Sequence, residues 1–468
     1  MTPLHVLILA AGKGTRMKSA RPKVLHQVAG APMIDYVLAT AGQLSPASRT
    51  VVVGHEAEQV QKALAHRADV RFVLQEPQLG TGHAVLQAKP LLEGVRGTLV
   101  LLSGDVPLLR RETLDALIST HEASGAAATV VTAIVPDPTG YGRVVRDGDS
   151  VLRIVEHRDA SAAERAIREI NSGIYAFDLE PLFPALGQIA ADNAQREYYL
   201  PDLIGIYRTQ GRQVGAVVAA DPAEILGINN RSELAAMSRQ VWQARNLALM
   251  AAGVTLEDPD TTYVDRDVEV GPDTTIRPGV FLQGRTRIGA RCVISSGVRI
   301  VDSVLADEVT VLDHCLLTGA RIAEKVSIGP FAHVRPDSDI RAGARVGNFV
   351  ELKKTRLGAG SKASHLAYLG DATIGEKVNI GAGTITCNYD GVRKNPTVIE
   401  DGVFIGSDSQ LIAPVRIGRD AYVAAGSTIT EDVPPGALGI ARGKQVNKEG
   451  WVATKKMKDE GGRTKTEG

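Results

Sequence analysis

From about residue 264 onward an aliphatic residue returns every sixth position, often followed by glycine. Val270-Gly271 and Ile288-Gly289 are 18 apart, as are Ile328-Gly329 and Val346-Gly347, with Val334 and Ile340 on the sixes between. Ile374-Gly375 and Ile380-Gly381 are 6 apart, and Ile405-Gly406 and Ile417-Gly418 are 12 apart. Neither the 3.6-residue period of a helix nor the two-residue period of a strand produces that beat. Hexads of this kind each make one flat face of a coil, with the aliphatic side chain inward, and three faces close the coil. Stacked coils bury one continuous aliphatic column. The chain is therefore expected to form a left-handed parallel β-helix of hexapeptide repeats over residues 253–450. The beat runs Ile328, Val334, Ile340, Val346, Leu352, then slips by one at Leu357 and again before Ile374, and His365 lies between the slips. The stretch 384–402 stretches the interval from Ile380 to Ile405, which predicts a loop leaving the coil.

Upstream the pattern differs. "HVLILA" (5–10), "TVVVG" (50–54), "TLVLLSGD" (98–105) and "AATVVTAIV" (127–135) are short apolar runs, separated by segments with helical spacing at 33–44, 56–65 and 110–123. Alternation of this sort predicts an α/β doubly wound domain over 1–228 around a parallel sheet. Residues 229–252 read as a linker helix and 451–468 as a frayed, flexible tail. The 53 basic and 53 acidic residues balance, giving no case for nucleic-acid or membrane-surface partners. Three cysteines without a C-x-x-C pair suit a reducing compartment. No signal-like start and no long apolar stretch is seen, so a soluble cytoplasmic protein is expected.

Two places carry chemistry. "LILAAGKGTRMKSARPKVL" (7–25) sets a glycine-rich turn after the first strand, where backbone N–H groups can approach phosphate, with Arg16 and Lys23 as cations. Met17 stands where a dinucleotide fingerprint needs its third glycine, and the P-loop spacing is absent. Asp105 follows a buried strand, at the end where α/β sheets bind ligands. A carboxylate there serves a turn or cap as readily as Mg²⁺. In the repeat region Arg335, Lys353, Tyr368, Asn379, Asn388 and Tyr389 gather near His365, an unusually polar set for a fold that needs only aliphatics inward. Histidine suits a general base and the cations suit a phosphate. A lone histidine at a coil corner is equally an ordinary surface residue.

"LAAGKGTRM…RPK" resembles the sugar-nucleotide pyrophosphorylase signature, and "LQEPQLGTGHA" (74–84) the base-recognising loop of uridylyltransferases. "GSKASHLAYLGD" and "GAGTITCNYDG" are similar to segments of a sugar-phosphate acetyltransferase. From residue 5 to about 451 the chain resembles the bacterial family of bifunctional N-acetylglucosamine-1-phosphate uridylyltransferase/glucosamine-1-phosphate acetyltransferases. The resemblance implies that Leu9, Ala10, Ala11, Gly12, Gln75, Gly80, Thr81, Ser103 and Gly104 hold UTP. It implies Lys23 on the phosphates, Asp105 and Asn229 on Mg²⁺, and Gly142, Glu156 and Asn171 on the N-acetylglucosamine-1-phosphate. His365 is implied as general base. Arg335, Lys353, Tyr368 and Asn379 would hold glucosamine-1-phosphate, and Ala382, Asn388, Tyr389, Ser407, Ala425 and Arg442 acetyl-CoA. A homotrimer is implied too. Ser103 stands where relatives often carry a larger aromatic residue, and Ser364 where they carry glycine. The competing reading makes the β-helix a mere assembly scaffold on a nucleotidyltransferase.

Overall fold

The computed structural model describes residues 2–148 and 150–461. The chain forms two compact units that divide between Ala244 and Arg245, inside the helix Arg231–Ala251. In the first unit the expected apolar runs are strands Leu4–Ala10, Ser48–Val53, Thr98–Ser103 and Ala128–Ile134. Successive residues of these strands point to opposite faces of the sheet. Leu7, Leu99, Leu101 and Val130 enter one apolar cluster, while Val6, Ile8, Val100, Leu102 and Val131 enter another. Both faces are therefore covered, which is why the strands read as unbroken apolar runs.

Across the sheet the order is Val214–Val218, Ala128–Ile134, Glu169–Asp178, Thr98–Ser103, Leu4–Ala10, Ser48–Val53 and Val70–Leu74. Glu169–Asp178 runs antiparallel to both neighbours, so the sheet is mixed where the sequence suggested a wholly parallel one. The run Asn171-Ser172-Gly173 disguises this strand. Its register with Ala128–Ile134 breaks between Asn171 and Tyr175, and Gly173 has a φ of 76°. Such a bulge redirects side chains, here at a residue expected to bind the sugar.

The second unit holds three parallel sheets of eleven, ten and nine short strands, the faces of the expected β-helix. Inward positions stack rung on rung. Ile276 pairs Ile294, then Val311, Ile328, Val346, Ala363, Ile380 and Ile405 along one face. All belong to a single buried aliphatic column. Several buried hydroxyls beside the column donate to carbonyls of the next coil, such as Thr355 to Leu369 at 2.7 Å and Ser361 to Gly375 at 2.7 Å. The short coils that bracket His365 are not peculiar to it. Ile288 to Leu305 and Leu305 to Ile322 are equally one residue short of eighteen. The anticipated loop leaves the coil between strands Ile385–Cys387 and Thr397–Ile399.

At one corner, left-handed residues His314, Phe331, Phe349 and Leu366 stack, each with positive φ. The His314, Phe331 and Phe349 rings stack with centroids 5.2 Å and 5.4 Å apart, and Phe331 and Phe349 stay about half exposed. Where a frayed tail was expected, Trp451–Gly461 is helical, and the remainder of that tail, 462–468, lies outside the described residues. No helix among the described residues is long and apolar enough to cross a membrane.

Candidate active sites

In the first unit the carboxyl ends of two central parallel strands lie side by side, with Leu9 paired to Ser103. Gly104 donates its N–H to the Leu9 carbonyl at 2.9 Å, an approach that a β-carbon would crowd at 3.0 Å. A cavity of about 510 Å³ opens at these ends. Leu9, Ala10, Ala11, Gly12, Lys23, Gln75, Gly80, Thr81, Ser103 and Asp105 line it, joined by Lys13, Thr15, Gln78 and Glu197, which the sequence did not single out. Gly14, at φ 57°, lets Lys23 fold over the turn, since a β-carbon there would sit 2.8 Å from Lys23 Cβ. Gly80, at φ 107°, packs against the backbone of Tyr198, and Thr81 Oγ1 accepts from the Leu200 N–H at 3.1 Å.

Three distant stretches meet at Lys23. Its ammonium contacts the Asp105 carboxylate and donates to Asn229 Oδ1 at 2.9 Å, and Arg16 donates to the same oxygen at 2.7 Å. Asn229 is held in turn, its N–H donating to Glu233 at 2.6 Å. Asp105 and Asn229 thus present two hard oxygens within reach of one small cation. That donor set fits Mg²⁺, which keeps most of its shell for water and phosphate. No group of three or more His, Cys, Asp or Glu side chains suited to a metal occurs among the described residues.

A second cavity of about 280 Å³ shares Ser103 and Asp105 with the first and reaches Tyr141, Ser172 and Asn229. Next to it Gly142, Glu156 and Asn171 come together. Asn171 donates its N–H to the Gly142 carbonyl at 2.9 Å, and a β-carbon on Gly142 would lie 3.3 Å from Glu156. Burial, with the like charges of Asp159, Asp202 and Glu197, holds the Glu156 carboxyl above the usual range. Asn171 Oδ1 accepts from the Tyr175 hydroxyl at 2.8 Å, which fixes its amide. Arg143, only 1% exposed, contacts the Tyr141 carbonyl and His157 and so pins the loop; its position next to "GYG" was the only available signal.

In the β-helix, His365 ends the strand Lys362–His365 and is exposed. Its Nδ1 lies 2.6 Å from Oδ1 of Asn348, the residue paired with it on the preceding rung. An amide oxygen only accepts, so in the neutral ring Nδ1 carries the proton and Nε2 the lone pair. Above His365 the same corner continues: Gly383 donates to the Leu366 carbonyl at 2.8 Å, Asp408 to Ala382 at 2.7 Å, and Gly426 to Ser407 at 2.8 Å. Arg442 closes the column on the Ala425 carbonyl at 2.7 Å.

The remaining polar residues occupy the next corner. Arg335 pairs with Glu351 at 2.9 Å, and Lys353 lies 3.6 Å from Asp371, which also accepts from Asn388. Tyr368 sits between Glu351 and Ile385 on the adjoining rungs. Tyr389, in the loop, is exposed and donates to the Gly391 carbonyl at 2.6 Å. Lys394 of the same loop, overlooked in the sequence, meets Lys353. The contact with Lys353 and its like charge hold Lys394 below the usual lysine range. Two ammonium groups against one carboxylate leave net positive charge for an anion. Asn379 begins its strand one rung above Lys362, away from this cluster. The structure does not bring His365 and Lys353 together within one chain: they end strands of different sheets, at successive corners.

Comparison with known proteins follows the same division. Residues 6–170 match the MobA-like NTP transferase domain, 261–338 a GMPPB C-terminal domain, and 396–431 the bacterial transferase hexapeptide with six repeats. The chain is 55% identical to the bifunctional protein GlmU of Trichlorobacter lovleyi, over 96% of this chain and 98% of that one. It is 50% identical to the protein of that name from Geotalea uraniireducens over 97% and 100%, and 51% to that from Brevibacillus brevis over 96% and 97%. With a nucleotide-sized cavity on an NTP-transferase sheet, a polar centre on a hexapeptide column and near-complete coverage of such relatives, the chain belongs to the bifunctional GlmU family of uridylyltransferase/acetyltransferase enzymes.

Proposed function

We propose that the β-helix acetylates glucosamine-1-phosphate with acetyl-CoA, and that the α/β unit then joins the product to UMP from UTP. In the first step the sugar amine attacks the thioester carbon. Nε2 of His365 takes the proton from the amine, the C–S bond breaks, and the proton leaves with the thiolate as CoA thiol. Asn348 keeps His365 in the tautomer that can act as a base. Arg335, Lys353 and Lys394 neutralise the sugar phosphate, with Tyr368 and Asn379 orienting the sugar. Ala382, Ser407, Ala425 and Arg442 hold acetyl-CoA along the stacked corner, with Asn388 and Tyr389 contributing from the next one.

In the second step a phosphate oxygen of N-acetylglucosamine-1-phosphate attacks the α-phosphorus of UTP. The bond from that phosphorus to the bridging oxygen breaks, and pyrophosphate leaves with the electron pair. Leu9 to Gly12, Gln75, Gly80 and Thr81 hold the nucleotide, Lys23 offsets the developing charge, and Gly142, Glu156 and Asn171 orient the sugar. Asp105 and Asn229 would hold Mg²⁺, which would supply further neutralisation of phosphate charge.

Placement of the acetyl-transfer residues on two successive corners supports a homotrimer in which neighbouring copies complete each site. The half-exposed ring stack leading to Leu366 offers a contact face. A cytoplasmic setting fits both the three free thiols and the substrates.

The convergence of Lys23, Asp105 and Asn229 from three parts of the chain carries the uridylyl reading, and the Asn348–His365 pair carries the acetyl reading. Purified protein given glucosamine-1-phosphate, acetyl-CoA, UTP and Mg²⁺ is expected to release both CoA and pyrophosphate. Pyrophosphate release from N-acetylglucosamine-1-phosphate with no CoA release from glucosamine-1-phosphate would leave the β-helix as a scaffold only.

A further inference from the structure

The helix Arg231–Ala251 begins beside the residues that gather at Lys23, and its first turn is tied to one of them. Asn230 precedes the helix, and its carbonyl accepts the first helical hydrogen bond, from the Leu234 N–H at 3.0 Å. Its side-chain oxygen takes the Glu233 N–H at 2.9 Å. In an ordinary capping box the glutamate at the third helical position answers by accepting the backbone N–H of the capping residue itself. Here the carboxylate reaches one residue further. Glu233 Oε2 accepts from the Asn229 N–H at 2.6 Å, while Oε1 takes the Asn230 side-chain amide. Asn230 caps the helix without the Asn229 contact.

That contact acts on a residue whose Oδ1 already accepts from both Arg16 and Lys23. An amide oxygen has two lone pairs, so a metal ion bound there would take the place of one donor. Through that exchange the oxygen has to stay turned toward Asp105 if both are to reach one ion. Two groups hold Asn229 by atoms other than Oδ1. The Gly227 carbonyl accepts from its Nδ2 at 3.1 Å, which fixes the end of the amide that is oxygen. Glu233 holds the backbone from which the side chain departs. The neighbouring Ile228 N–H donates to the Asp105 carbonyl at 3.1 Å, so the segment is also fastened to the carboxylate's own strand end. Glu233 borders the second cavity together with Asp105 and Asn229.

We infer that Glu233 is a positioning residue for the metal site: by accepting the Asn229 N–H it keeps Oδ1 presented to the ion while Arg16 or Lys23 gives way. This rests on the proposal that Asp105 and Asn229 hold Mg²⁺. Partners that orient a metal's ligands in this way are commonly worth about 10- to 100-fold in affinity.

The test measures UTP binding to the full-length protein by titration calorimetry, with Mg²⁺ and with EDTA. No sugar phosphate is present, so nothing turns over. Wild type is expected to bind UTP more tightly with Mg²⁺. In Glu233→Ala that gain should shrink about tenfold, with the affinity in EDTA nearly unchanged, which also shows that the variant is folded. Glu233→Gln keeps an oxygen for the Asn229 N–H and should restore most of the gain. The same Mg²⁺-dependent gain in wild type and Glu233→Ala would overturn the inference. Equal losses with Mg²⁺ and with EDTA would overturn it as well, by making Glu233 a helix cap only, as would a Glu233→Gln variant no better than Glu233→Ala. Wild type that binds UTP no more tightly with Mg²⁺ would instead overturn the metal reading on which it rests.

Discussion

The two units build polar centres by opposite routes. In the α/β unit, Lys23, Asp105 and Asn229 are brought together only by the tertiary fold, at the ends of strands whose order in the sheet differs from their order in the chain. In the β-helix, partners lie one rung apart, so Asn348 and His365 are seventeen residues from each other and Lys353 pairs Gly370 in the same way. One centre depends on long-range convergence, the other on the pitch of a repeat. Each should therefore fail by itself.

The largest expected effect breaks the convergent centre. Asp105→Ala removes the one carboxylate that contacts the Lys23 ammonium among the described residues, so uridylyl transfer is expected to fall at least about 100-fold, with CoA release unchanged. Steady-state pyrophosphate and CoA assays on one preparation read both. Adding excess Mg²⁺ should recover little if Asp105 is a ligand of that ion, as proposed.

A smaller effect sharpens the ladder side. Asn348→Ala frees the His365 ring and its tautomer while leaving the proposed base in place. Acetyl transfer is expected to drop roughly tenfold, with the KM values little changed. If Asn348→Ala matches a full deletion of the base, Asn348 is acting on the substrate directly.

The smallest effect runs in opposite directions for stability and function. The Glu156 carboxyl is raised in the folded protein, so the charged form is disfavoured there relative to the unfolded chain. Its contribution to stability is complete below the unfolded value and is lost as pH rises through the folded one. At neutral pH Glu156→Gln should therefore raise the melting temperature of the α/β unit by a few degrees while raising the KM for the sugar phosphate. A lower melting temperature would mean that Glu156 is held by partners that stabilise its charge.

Legibility in the sequence follows the same contrast. The aliphatic beat survives in the letters because every inward position of every rung must be small and apolar, and loop 388–396 shows as a break in the count. Asn348 was within reach of that reasoning at one rung's spacing from His365, but the slips on either side of His365 proved a poor pointer, since Ile288–Ile322 has them too. Strand Glu169–Asp178 was hidden because its bulge carries Asn-Ser-Gly where a strand should carry apolar residues. Lys394 gave no signal, because a lysine in a loop looks solvated until the fold lays it on Lys353.

That the two centres are chemically separate is tested most directly by measuring CoA and pyrophosphate release side by side from one preparation of the His365→Ala variant. CoA release should fall by about 100-fold or more, as for loss of a general base, with pyrophosphate release from N-acetylglucosamine-1-phosphate at the wild-type rate. Loss of both together would contradict separate centres and make His365 a residue of the fold or the assembly instead.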